Sequence, residues 1–127
     1  MTLSPAVLVV EPTLSALREG LRDLAVASCG KTFRTIAVLG DLDGTREARM
    51  DLGRFLVRLD ISVLVAVGDL AGSVHAGAVL EGSWGEESRH VDTPEAAVAL
   101  LREELLVNDV VLVAGLPTVL HALEETP

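Results

Sequence analysis

Five short aliphatic runs alternate with segments of helical period along the whole chain, and this alternation limits the fold more than any other feature. The runs are Ala6–Val10, Thr35–Leu39, Val63–Val67, a weaker one at Arg89–Val91, and Val110–Val113. Between them, Leu14, Leu17, Leu21 and Leu24 recur at spacings of three and four, as one apolar helix face requires. Met50, Leu52, Phe55, Leu56 and Leu59 repeat the pattern in a second segment. A third, from Thr93 to Leu105, opens with Thr93 as N-cap, Pro94 at the first helical position and Glu95 in the first turn. The stretch "DVVLVAGLPTVLHAL" climbs a last strand, turns at Gly115 and enters a helix through Pro117.

Strand followed by helix, repeated with short connections, implies parallel pairing, right-handed crossovers and helices on both faces. The expected fold is a Rossmann-like three-layer α/β sandwich with a mostly parallel sheet of five or six strands. At 127 residues the chain is one domain, spanning 1–127. Half the residues are hydrophobic, but Phe33, Phe55 and Trp84 are the only aromatics, so Val, Leu, Ile and Ala must build the core. "LEGSWGEESRH", Leu80 to His90, lacks a period and reads as an exposed loop. Trp84 within it serves either as a lid packed on the domain or as an interface anchor for a protein partner or a second copy.

Charge and short motifs exclude several functions. The net charge is −9, and residues 81–127 hold 10 acids against 2 bases, a surface that repels nucleic acid. No apolar run approaches the roughly 20 residues of a membrane span, and "AVLVV" lacks the flanks of a secretion signal, so a cytoplasmic location is expected. Cys29 is the only cysteine, and His75, His90 and His121 are scattered, so no metal site is expected. "GKT" at Gly30–Thr32 is not a phosphate loop: Ala25 stands where the first glycine belongs, and Gly30 reads as a helix C-cap. There is no Gly-x-Ser-x-Gly nucleophile elbow.

One internal echo remains. "IAVLGDLDGT" and "LVAVGDLAGS" each run from a strand into Gly-Asp-Leu-x-Gly-Thr/Ser, 28 residues apart, so both turns belong on one sheet edge. Asp41 and Asp69 sit just past strand ends, where a carboxylate can hold a ribose hydroxyl, a cation or an ammonium group, or can cap the following helix. Asp43 and Thr45 compete for the cap of the second helix, leaving Asp41 the freer acid.

"RTIAVLGDL", "DLGRFLVRLDISVLVAVGDLA" and "DTPEAAVALLREELLVNDVVLVAG" together resemble the C-terminal domain of Mur ligases, most of all the branch that adds D-alanyl-D-alanine in peptidoglycan synthesis. The resemblance covers about Pro12 to Gly115 and implies a Rossmann-like module with one extra antiparallel strand. It also implies ATP-dependent amide-bond formation in which ATP and Mg bind a separate central domain, absent from this chain. Such a chain holds no cofactor of its own, is inactive alone, and needs that ATPase domain as partner. The candidate ligand-binding residues are Glu11, Gly40, Asp41, Asp43, Thr45, Asp69 and Gly115, with Trp84 as candidate interface.

The departures fall where the family works. Its Asn-Ala-Asn-Pro becomes "VVEP", which puts Glu11 in place of an amide, and its closing Lys-Gly-Ser-Arg becomes Ala114, Gly115, Leu116 and Pro117. Losing two cations from one corner removes the grip on an anionic substrate. The alternative expectation is therefore a standalone, non-catalytic binding module with a degenerate site. Met1 directly before the first strand, with no linker remnant, favours a chain encoded on its own.

Overall fold

The computed structural model describes residues 6–28, 34–82, 87–106 and 108–125. Its elements run β1 (Ala6–Val10), α1 (Leu14–Ser28), β2 (Thr35–Leu39), α2 (Arg46–Arg58), β3 (Val63–Val67), α3 (Ala71–Glu81), β4 (Ser88–Val91), α4 (Pro94–Glu104), β5 (Val110–Ala114) and α5 (Pro117–Glu125). The strands form one sheet in the order β1-β5-β2-β3-β4, every pair parallel. The extra antiparallel strand implied by the family resemblance is not among the described residues. At its two ends the stretch read as a loop from Leu80 to His90 is regular: α3 continues through Glu81, and β4 begins at Ser88. Cys29, Gly30 and Trp84 lie outside the described residues.

Two hydrophobic clusters make the three layers. Leu17, Leu21 and Leu24 of α1, Leu52 and Leu56 of α2, and Val74 and Ala78 of α3 pack on one face of the sheet. Ala97 and Leu101 of α4, with Val119 and Leu123 of α5, cover the other. The chain moves steadily from β1 to β4 with helices on the first face. It then returns through α4 to insert β5 between β1 and β2, and a right-handed crossover puts that return on the opposite face.

The contact between α2 and α3 is closer than side chains allow. A Cβ on Gly53 would strike the Val74 carbonyl oxygen and lie 2.7 Å from Ala78 N, and one on Gly77 would strike the Met50 carbonyl oxygen. The helices therefore touch backbone to backbone. At the amino edge of the sheet, buried Asp109 accepts Arg34 Nε at 3.2 Å, Arg34 Nη2 at 2.7 Å and Leu106 N at 2.8 Å, fixing the start of β5 beside β2.

Candidate functional site

In open α/β sheets, a crevice opens at the carboxyl edge where neighbouring strands send their helices to opposite faces. Here that condition is met on both sides of β5, because β1 and β2 feed the first face and β5 the second. The strand ends there interlock. Gly40 N donates to the Ala114 carbonyl at 2.9 Å, extending the β2–β5 pairing by a residue. A Cβ on Gly40 would lie 2.8 Å from both Gly115 O and Leu116 Cδ2, so no larger residue fits. Gly115 takes φ +70°, and a Cβ there would meet Pro12 at 3.0 Å and the Asp41 carbonyl at 3.2 Å.

Asp41 stands at the centre of this edge. Besides its contact with Gly115, its Oδ1 would lie 3.2 Å from a Cβ on Gly68, the residue that turns out of β3 at φ +90°. Gly68 is tied in turn to β4: its N–H donates to Val91 O at 3.0 Å and its carbonyl meets His90 Nε2 at 2.9 Å. The two Gly-Asp turns are thus neighbours on one edge, as their sequence echo suggested. Asp41 and Asp69 are exposed, and neither side chain makes a hydrogen bond or ion pair among the described residues. Asp69 does not cap α3, whose N-cap, Leu70, has no side-chain bond. Glu11, also exposed, is joined to the cluster through the neighbouring Pro12.

Asp43 and Thr45 are structural. Thr45 caps α2, its hydroxyl accepting Ala48 N at 3.1 Å. Asp43 reaches across 29 positions to accept Leu14 N at 2.8 Å in the first turn of α1, where Thr13 also accepts Ala16 N at 3.3 Å. A carboxylate at a helix N-terminus both satisfies a free amide and opposes the helix dipole. The cap competition is resolved by giving each residue a different helix.

Arg49 was not singled out from sequence, and His75 and His90 were read there only as scattered histidines. Arg49 is buried with Nη1 donating to Gly44 O at 2.6 Å, while its Nε has no partner. It shares the stripe of Leu52, Gly53 and Leu56, and a cation on that buried stripe was a legible signal. His75 and His90, 15 residues apart, stack with ring centroids 5.8 Å apart, and His75 Nδ1 lies 2.6 Å from the Ser88 hydroxyl. Burial, reinforced by the charge of His90, holds the His75 imidazole below the ordinary histidine range. Among the described residues, no group of three or more His, Cys, Asp or Glu is placed to hold a metal, and no helix is long and apolar enough to cross a membrane.

Chemically, the edge is acidic. Glu11, Asp41, Asp69 and Asp92 each follow a strand within two residues, and the fifth strand ends in Gly115 and buried Leu116. Arg46 and Arg49 stand beyond the β2–α2 loop, in the first turn of α2. These residues fit an ammonium or a hydroxyl, and they do not fit a triphosphate.

The chain is 39% identical over 132 residues to the UDP-N-acetylmuramoyl-tripeptide--D-alanyl-D-alanine ligase of Mycobacterium leprae, a match covering 88% of this chain and 26% of that protein. The enzyme of the same name from Mycobacterium tuberculosis H37Rv is 41% identical, covering 85% of this chain and 26% of its own. This chain belongs with the Mur ligases, matching their C-terminal part. It spans about a quarter of the length of these relatives. A crystal structure of MurF from Acinetobacter baumannii superposes at a TM-score of 0.70 and 19% identity, covering 98% of this chain and 28% of that one. A second ligase structure from the same organism gives 0.57 at 21% identity. At such identities the superpositions speak for the fold alone, an α/β module shared with those ligases. No family model matches the chain.

Proposed function

We propose that this Mur-ligase module forms one wall of a two-part active site that joins D-alanyl-D-alanine to a UDP-muramoyl peptide, in the cytoplasm, during cell-wall synthesis. The observation that carries the reading is the match of about two-fifths identity to UDP-N-acetylmuramoyl-tripeptide--D-alanyl-D-alanine ligases along 85–88% of the chain. ATP and Mg belong to a central domain, carried on the same or another polypeptide, which activates the acceptor carboxyl. This chain's part is to bind and orient the incoming amine. The ammonium end of a dipeptide is the group that Asp41 and Asp69 are suited to hold, with Gly40 and Gly115 packing the strand ends tightly beside Asp41 and Gly68 leaving room next to its carboxylate. Asp43 and Thr45 act indirectly, by fixing the loop that carries Asp41.

The test joins this chain to the ATP-binding part of the Mycobacterium tuberculosis relative, in place of that enzyme's own matching segment. The chimera is expected to form the muramoyl pentapeptide with release of phosphate, whereas the isolated chain neither binds nor hydrolyses Mg-ATP. Sub-millimolar ATP affinity in the isolated chain, or an inactive but folded chimera, contradicts the proposal. One observation favours the second reading, a non-catalytic binding module: Leu116 buries its side chain in the core at the corner where the family carries cations. A folded, inactive chimera is the outcome that reading predicts.

A further inference from the structure

Away from the carboxyl edge, α1 and α2 bring two arginines onto one aromatic ring. Arg18 Cζ lies 5.0 Å and Arg22 Cζ 5.3 Å from the ring centroid of half-buried Phe55. Arg34, Arg54, Arg58 and Arg89 are each paired with a carboxylate, whereas Arg18 and Arg22 form no ion pair among the described residues. Like charges one helical turn apart repel, and the negative face of Phe55 offsets that cost by attracting both. Val26, one turn further along α1, is 76% exposed and extends the same surface with an apolar group. Exposed Glu19 and Asp23 follow the two arginines on α1, so the cationic part of this surface is the pair of guanidiniums gathered over Phe55, on a molecule of net charge −9.

From this arrangement we infer that the α1–α2 surface centred on Phe55 docks an acidic segment of a partner protein. A carboxylate seated between the two guanidiniums relieves their repulsion and gains paired, charge-assisted hydrogen bonds from each. Phe55 holds both groups in place before the partner arrives, and Val26 supplies apolar contact beside them. This surface is independent of the ligase reading, since it uses none of the residues at the strand ends.

Anisotropy of a fluorescein-labelled octaglutamate peptide tests the inference on the whole chain. Binding is expected at low ionic strength, weakening as salt rises. Arg18→Gln with Arg22→Gln should lower affinity about tenfold or more, as loss of two charge-assisted contacts implies. Phe55→Leu should lower it less, by loosening both arginines, and Arg46→Gln, at the exposed start of α2, should leave it unchanged. Melting curves confirm that each variant is folded, and Arg22→Gln alone, at an exposed position, replaces the double variant if that one is not. No binding by the wild-type chain, or equal losses in the Arg46 and Arg18/Arg22 variants, overturns the inference. Tighter binding of inorganic polyphosphate of equal charge assigns the patch to phosphate anions and overturns it as well. So does salt-sensitive self-association in sedimentation that the double variant abolishes, since the occupant is then a second copy.

Discussion

Replacing Gly77 by Ala places a methyl group where α3 meets α2. In most helix interiors this change stabilises, by about 1 kcal/mol from helix propensity alone. Here the added Cβ would strike the Met50 carbonyl oxygen and stand 2.8 Å from Met50 Cα. Backbone atoms cannot change rotamer, so the helices must separate, and overpacking of this kind costs about 3 kcal/mol at the upper end of its usual range. The net loss is about 2 kcal/mol, or about 8 °C in Tm for a chain of this size. Gly53→Ala should behave alike, because its Cβ would meet the Val74 carbonyl oxygen. Gly20→Ala is the control: it is also helical, but its Cβ would meet side chains, Val10 Cγ2 at 2.8 Å and Leu112 Cδ1 at 3.3 Å, and Val10 lies on the edge strand. Urea and thermal unfolding followed by circular dichroism measure all three. A Gly77→Ala variant as stable as wild type would refute backbone contact between the helices.

Asp109→Ala leaves Arg34 and the Leu106 amide without their acceptor, and about 3 kcal/mol of stability should be lost in urea titration; Arg34, with its side chain 35% exposed, keeps the figure at the low end for a buried pair. Asp43→Ala and Thr45→Ala should each cost about 1 kcal/mol as lost caps, with Asp41→Asn within about 0.5 kcal/mol of wild type in the same assay. Because the His75 imidazole is held below its ordinary value, the unfolded chain takes up its proton first as pH falls. His75 therefore contributes stability fully above the ordinary histidine pKa of about 6.5, and that contribution is lost as pH drops through that value towards the lowered one. His75→Gln should flatten this part of a plot of Tm against pH.

The sheet was legible because four of its strands are compact aliphatic runs bounded by Gly, Asp or a polar turn, while β4, Ser-Arg-His-Val, gave the weaker signal. Thr35–Leu39 and Val63–Val67 agree with the structure at both ends, and β4 and β5 differ by one residue each. The helix α3 was harder to see. "AGSVHAGAVLE" has no apolar period because it is held by Gly and Ala against the α2 backbone, and such a contact leaves small residues rather than large ones in the sequence. At the candidate site the strand-end acids were legible, since position after a strand is a local property. The partnerships that separate them were not. Asp43 is occupied by an amide 29 positions away, and His75 meets His90 only after β4 pairs with β3, so neither contact leaves a local pattern.

The most direct test of the account is the Michaelis constant of the chimeric ligase for each substrate, with and without Asp41→Asn. A carboxylate that holds the incoming ammonium contributes a charge-assisted hydrogen bond of about 1.5–3 kcal/mol. Its loss should raise KM for D-alanyl-D-alanine about tenfold or more and leave KM for ATP unchanged. An unchanged KM for the dipeptide, or a rise confined to ATP, would contradict the claim that this edge receives the amine.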